Sequence, residues 1–262
     1  ELMTESIQIL VAAHKNVALT DLAAIYTPIQ VGAALSAEMF NDFIQDNTGR
    51  NISEKNPYFN ELTALYWARY NSQADVIGLV HYRRFFSFSS KKQLNNVLSQ
   101  ETLSDLLKNT PVIVPKKRHY WIESSESHYR HAHHNLGLDV LRDVIATRYP
   151  DYLTTYDKNM QRTSAHMFNM FIMKRPEFDA YIDWLFDILF AVESTIQPQV
   201  ISWSPYEQRV YGFLSERLLD VWLDFNQVDY QEVPVTFMEK QNWLLKGTKF
   251  IARKVGFGRA EL

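Results

Sequence analysis

A three-layer α/β/α chain, with helices on both faces of a central mixed and mostly parallel sheet, is what three observations in this sequence predict. Short apolar runs rich in valine and isoleucine recur at residues 7–13, 76–80 and 112–114, as strands buried on both faces read. In the first half these runs alternate with segments of helical period, whereas the second half turns helical around one further strand. At 262 residues and 46% hydrophobic content, the chain can bury one large core. One domain over residues 3–245 is expected, followed by a basic and apolar tail at 246–262.

Composition narrows the function classes. The net charge of -3 and a pI near 6.3 argue against bulk attraction to nucleic acid, so an anionic ligand must meet local positive charge. Cysteine is absent, which removes thiolate metal sites and suits a reducing cytoplasm. No apolar run approaches the ~20 residues of a spanning helix, so a cytoplasmic protein, at most peripheral at the inner face of a membrane, is expected. Aromatics reach 14%, enough to serve sugar or base stacking as well as core packing. The Glu-Leu pairs ahead of Met3 and at the other end read as foreign remnants and are set aside.

The elements follow in order. Residues 7–13 form a strand that stops at His14-Lys15-Asn16, and ligands of open α/β sheets sit beyond the carboxyl ends of strands. A second strand ends at Gly32. Residues 46–53 form a turn-rich loop whose Asp46, Asn51 and Ser53 offer side chains to a nucleoside. Ser53 or Asn56 caps the next helix, Pro57 suits its first turn, and the period of Phe59, Leu62, Leu65, Tyr66 and Arg69 carries it over 58–70. The following strand runs into His81-Tyr82-Arg83-Arg84-Phe85-Phe86, a sudden cluster of imidazole, phenol and guanidinium. If that strand continues, His81 and Arg83 share one face and Arg84 takes the other.

A helix at 101–108 leads to a strand at 111–115 that ends in Lys116, Lys117, Arg118 and His119. Half of the eight histidines then fall between 128 and 134. A zincin requires His at i and i+4 with an interposed Glu, a pattern absent here, so His128, His131 and His134 are read as acceptor-binding and no metal ligand is assigned. Further helices at 139–148, 176–193 and 206–224 enclose a strand at 168–173, and residues 233–235 form a last edge strand.

Arg, His and Tyr gathered at strand ends suit a diphosphate leaving group, because fixed donors stabilise the charge that builds on its oxygens as a bond to it breaks. The substrate class is then a nucleotide sugar. Neither a Gly-rich dinucleotide loop, a P-loop nor a nucleophile elbow occurs in the sequence.

Several words carry a resemblance: His14-Lys15, Pro28-Ile29-Gln30-Val31-Gly32-Ala33, Asn51-Ile52-Ser53, Glu61-Leu62-Thr63-Ala64-Leu65-Tyr66-Trp67 and Gly78-Leu79-Val80-His81-Tyr82-Arg83-Arg84-Phe85. Asn169-Met170-Phe171-Ile172-Met173, and Arg209 with Gly212-Phe213-Leu214-Ser215-Glu216-Arg217-Leu218, complete it. With these, the chain resembles bacterial capsular and exopolysaccharide biosynthesis glycosyltransferases, long carried as a domain of unknown function. The resemblance implies a GT-A-like fold and hexosyl transfer from a nucleotide-diphosphate sugar, UDP-linked by expectation, to a glycan or lipid-linked oligosaccharide. Galactofuranose is a donor sugar among some relatives. Donor binding would fall to His14, Lys15, Asp46, Asn51, Ser53, Glu61, Tyr66, His81, Tyr82, Arg83 and Arg84, and acceptor binding to Asn169 with the three histidines.

GT-A enzymes usually place a metal-binding Asp-x-Asp where this chain has His81-Tyr82-Arg83. No cofactor is therefore expected to be required, with a divalent metal on the diphosphate as the open alternative. If transfer inverts the anomeric centre, a carboxylate must take the acceptor proton, and chain order points to Glu207 and then Asp139, with His81 as a further catalytic candidate. The competing readings are a non-catalytic nucleotide-sugar- or glycan-binding protein of the same fold, and a His-based metal hydrolase.

Overall fold

The computed structural model describes residues 4–19, 22–87 and 97–238, and within them the three-layer expectation holds. The central sheet consists of β1 (Ile7–Ala13), β2 (Tyr26–Gln30), β3 (Ile44–Gln45), β4 (Val76–His81), β6 (Val112–Pro115), β9 (Phe171–Lys174) and β10 (Tyr230–Val233). Across the sheet they run β10-β6-β9-β4-β1-β2-β3. β9 alone among these seven runs against its neighbours, which makes the sheet mixed and mostly parallel. A short β5 (Arg84–Phe86) folds back on β4 and takes β11 (Val235–Phe237) as its other neighbour. A separate hairpin pairs β7 (Arg118–His119) with β8 (Ser164–Ala165).

Strand side chains alternate between the faces of the sheet, and the core divides accordingly. Leu10, Ala12, Ile77, Leu79, Val112, Val114, Phe171 and Met173 face the larger core. That face is covered by α2 (Leu62–Asn71), α5 (Asn135–Arg148), α6 (Leu153–Gln161), α7 (Arg175–Val200), α8 (Val210–Ser215) and α9 (Leu219–Phe225). Ile9, Val11, Ala13, Val76, Val80, Ile113 and Ile172 face the other side, under β5 and α3 (Gln100–Leu107). Each fully buried leucine, isoleucine or valine contributes roughly 1.5–3 kcal/mol relative to leaving it in water, so both faces are committed.

Four stretches that read as continuous are broken, and the breaks carry the site. The helix expected at 58–70 is α1 (Asn56–Phe59) and α2, separated where Asn60 takes a left-handed φ of 52°. The strand through 80–86 reverses at Tyr82-Arg83 into a tight hairpin with His81 opposite Arg84. Directly opposed residues of an antiparallel pair share a face, so His81 pairs with Arg84 rather than with Arg83. The strand expected at 168–173 begins only at Phe171, after Phe168 and Asn169 adopt left-handed φ values of 74° and 52°. The helix expected at 206–224 is a single 3-10 turn at Glu207–Arg209, then α8, then α9.

Two other boundaries moved. α7 continues to Val200 through Pro198 because its apolar face extends to buried Ile196 and Val200. Pro234, lacking an N–H for a ladder, divides the last edge segment into β10 and β11. The tail expected at 246–262 lies outside the described residues, and no described helix is long and apolar enough to cross a membrane.

Candidate active site

Strands β1 and β4 are parallel neighbours with Ala12 opposite His81, so the residues that follow each emerge side by side. Tyr82 N–H donates to the Ala12 carbonyl (3.1 Å) and fixes the start of the turn. Above it, His14 meets the Tyr82 ring edge-on at 5.5 Å, and the Arg83 guanidinium lies 4.9 Å from the same ring. Burial, then Lys15, Arg83 and Arg209, hold the His14 imidazole below its ordinary range, so it is neutral at pH 7.

On the other side of the turn, His81 Nε2–H donates to the Phe168 carbonyl (2.9 Å). A carbonyl only accepts, so this bond places the ring hydrogen on Nε2 and leaves Nδ1 a lone pair. Burial drives the His81 pKa down, against the pull of Glu61 and with the push of Arg84 and Arg209, so the ring is neutral. Arg84, opposite it, lies between the rings of Phe168 (4.3 Å) and Phe237 (5.3 Å). Burial lowers its pKa as well, while Glu216 and Glu61 oppose that shift.

The floor of this cluster comes from the helix breaks. Asn169, in its left-handed turn, donates through Nδ2 to Glu61 Oε1 (2.9 Å) and to the Gly212 carbonyl (3.2 Å). Asn60 Oδ1 accepts from Arg209 Nε (3.2 Å), and its amide lies so close to Gly212 that any Cβ there would be 2.4 Å from Nδ2. A side chain at residue 212 would displace the Asn60 amide from this position.

At the end of α8, the Glu216 side chain is 20% exposed, with Arg217 Nη1 3.4 Å from Oε2. Burial pushes its pKa up to about 7; Arg217 opposes this, Glu61 reinforces it, and Arg84 and Arg209 oppose it. Near neutrality it therefore exchanges its proton readily, as a general base must. Arg84, Arg209 and Arg217 act on this carboxyl together with Glu61, the other acid of the cluster. Arginines therefore outnumber carboxyls in this cluster, within a chain of net charge -3.

The sequence-expected residues thus divide. His14, Glu61, His81, Tyr82, Arg83, Arg84 and Asn169 converge, and Lys15 is exposed beside His14. Asp46 is fully buried and its oxygens accept from Gly32 N, Ala33 N, Ser53 Oγ and Thr63 Oγ1. It braces the first turn of α2 behind Glu61 instead of facing a nucleoside. Buried Ser53 also accepts from Ala34 N, and Asn51 closes its own turn through Gly49 O and Ser53 N. Tyr66 is buried against Phe186 of α7 and accepts from Arg50 Nε (3.1 Å). No described hydrogen bond or ion pair links these four to His81, Arg84 or Glu216.

The histidines of 128–134 diverge: His128 and His131 lie in α4 (Ser125–Ala132), whereas His133 caps its end and His134 precedes α5, and each takes a different partner. His128 stacks on Tyr120 and accepts from Arg217 Nη2 (3.3 Å); exposed His131 pairs with Glu123; His134 stacks on Trp203. Among the described residues, no group of three or more His, Asp or Glu is disposed to hold a metal ion. Glu207 accepts from His133 Nδ1 (3.3 Å), whose ring stacks on Phe213. The Asp139 side chain is 56% exposed and pairs with Arg130 on the outer surface. Glu216 and Arg209 were not singled out as site residues; the signal was their place in the words Arg209 and Gly212-Phe213-Leu214-Ser215-Glu216-Arg217-Leu218.

The fold is GT-A-like. A solved apo structure of the bifunctional glycosyltransferase WbbM superposes with a TM-score of 0.80 at 29% sequence identity, over 90% of this chain and 46% of that one. This chain therefore spans just under half the length of that enzyme. No curated protein matches it significantly. The model of the family described as "Domain of unknown function (DUF4422)" matches residues 8–227, most of the sequence, and the chain belongs to that family.

Proposed function

We propose that this chain is a glycosyltransferase that moves a hexosyl group from a nucleotide-diphosphate sugar to a hydroxyl of a glycan or lipid-linked oligosaccharide. A UDP-linked donor, galactofuranose among the candidate sugars, and a role in capsular or exopolysaccharide synthesis come with the resemblance in the sequence words. The observation that carries the reading is the gathering of Arg83 and Arg84, at the carboxyl end of β4, with Arg209 and Glu216, whose pKa burial pushes up to about 7. Kinship of fold with a glycosyltransferase supports it.

In this mechanism Arg84 and Arg209, with Arg83 and Lys15 at the rim, hold the diphosphate and stabilise the charge it gains as a leaving group. Neutral His81 has its N–H engaged with Phe168, so its Nδ1 lone pair suits a sugar hydroxyl better than a phosphate oxygen. Asn169 and Glu61 form a hydrogen-bonded shelf beneath the sugar. Ionised Glu216 takes the acceptor proton as the acceptor oxygen bonds to the anomeric carbon. The bond from that carbon to the diphosphate oxygen breaks, and its electron pair leaves with the nucleoside diphosphate. Glu207, hydrogen-bonded to His133, fits the acceptor side, whereas Asp139 faces outward.

Residues at the position of the usual Asp-x-Asp, His81-Tyr82-Arg83, contain no acid and do not fit a diphosphate-bound metal. The test is a screen of nucleotide sugars with glycan acceptors, read as nucleoside diphosphate release and product mass in excess chelator. Turnover that persists in chelator is expected. A strict need for manganese or magnesium would refute the cationic site, and donor binding without turnover would favour a non-catalytic binding protein.

A further inference from the structure

Residues 116–122 form a second cationic feature among the described residues, and the transfer chemistry makes no use of their tip. After β6 the backbone carries Lys116, Lys117, Arg118 and His119, then Tyr120, and turns sharply at Trp121. Trp121 has a φ of 64°, and Ile122 N–H donates to the Tyr120 carbonyl at 2.8 Å. This is a γ-turn of the strained hand, rare for a residue with a large side chain.

Surrounding structure holds the turn in place. Tyr120 N–H donates to Thr163 O (2.7 Å), Ser125 N–H donates to Arg162 O (2.8 Å), and the Tyr120 ring stacks on His128 at 4.3 Å. What this pinned, strained turn presents is apolar: Trp121 is 82% and Ile122 96% exposed, the two most exposed large hydrophobic residues described. Among the described residues the preceding cations meet no carboxylate, and the Arg118 guanidinium lies 5.8 Å from the Tyr120 ring. Nearby Glu123 pairs with His131 and Glu126 with Arg130, and no described carboxylate pairs with Lys116, Lys117 or Arg118.

We propose that residues 116–122 are a membrane-docking prong, in which Trp121 and Ile122 enter the interface of an anionic bilayer while Lys116, Lys117 and Arg118 lie among its phosphate head groups. Tryptophan favours that interface, where its ring is apolar and its N–H stays wet. Clustered Lys and Arg add attraction to an anionic leaflet that fades over a Debye length. Charge complementarity selects this occupant over a sugar: a neutral glycan has use for an exposed indole, but none for a fully exposed isoleucine behind three cations that no described carboxylate meets. The inference is independent of the transfer reaction and of the tail beyond residue 238.

The experiment is flotation of the full chain with phosphatidylcholine vesicles, with and without phosphatidylglycerol, alongside quenching of tryptophan fluorescence by brominated lipid. Wild type should float only with the anionic vesicles, with quenching, and should detach at high salt. The Trp121→Ala/Ile122→Ala double variant and the Lys116→Glu/Lys117→Glu double variant should each bind at least tenfold more weakly, with unchanged melting. Wild-type-like flotation of the first double variant would overturn the proposal, since another segment would then hold the membrane. So would absence of wild-type binding, or a Trp121→Ala variant that floats normally but loses acceptor affinity, the behaviour of a glycan platform.

Discussion

Replacing Glu216 with glutamine should make the protein more stable in alkali while it removes the proposed base. The carboxyl has its pKa raised from 4.5 to about 7, chiefly by burial, so the native state retains a proton that the unfolded chain gives up. For a group raised in the folded state, the stabilising contribution is complete below pH 4.5 and is lost as pH rises through about 7. Carried to pH 8, the gap between 4.5 and about 7 amounts to about 3 kcal/mol of stability lost by the wild type. Glutamine keeps the shape and cannot ionise. Urea unfolding at pH 5 and pH 8 should give similar stabilities for both proteins at the lower pH. At the higher pH the variant should lead by up to about 3 kcal/mol, the same linkage seen from the other side. Turnover, by contrast, should fall by about 10²–10⁴-fold, and the wild-type rise in rate through pH 7 should vanish. A variant whose stability difference does not change with pH would refute the buried, titrating carboxyl. A variant with the expected stability gain and unimpaired turnover would leave Glu216 buried and titrating but remove it as the base.

Arg84→Ala should lower kcat by about 10²–10³-fold, the usual effect of losing one donor to a developing oxyanion. Because Arg84 also holds the Glu216 pKa down, the same variant should move the rising limb of the pH–rate profile to higher pH. His166 is fully buried between Asp220 (Nδ1 to Oδ1) and Glu232 (Nε2 to Oε1, 2.7 Å), clamping β10 to α9. Burial works against its charge, but the two carboxylates outweigh it and raise the pKa. Its contribution is therefore complete below 6.5 and is lost as pH rises through the raised value. His166→Asn should cost about 3 kcal/mol at pH 6 in thermal or urea unfolding, because it leaves facing acids without their cation, and the deficit should shrink at pH 9.

What the sequence determined by itself is the layer plan and the position of the functional edge. Uninterrupted runs such as Ile9-Leu10-Val11-Ala12 can be buried only on both faces of a sheet, and that requires helices on each side. Where such a run stops at a polar group, as at His14 or His81, the strand must reach the rim, so the cationic cluster is legible in the sequence. The tertiary structure decided which of those polar groups act together. Periodicity cannot register single left-handed residues, and Asn60, Phe168 and Asn169 are three of them. Asn60 ends α1 early and sets Glu61 at the start of α2, whereas Phe168 and Asn169 delay the start of β9 and turn the Asn169 side chain toward Glu61. The reversal at Tyr82-Arg83 likewise exchanged Arg83 for Arg84 as the partner of His81. Burial decided the rest: Asp46 and Glu216 are both acids near helix or loop ends, yet one is saturated by four donors while the other, among the described residues, has only Arg217 within 4 Å, with Arg84 and Arg209 acting from further off. An acid's chemistry is set by desolvation and by neighbours distant in sequence, and these exist only once the chain has folded.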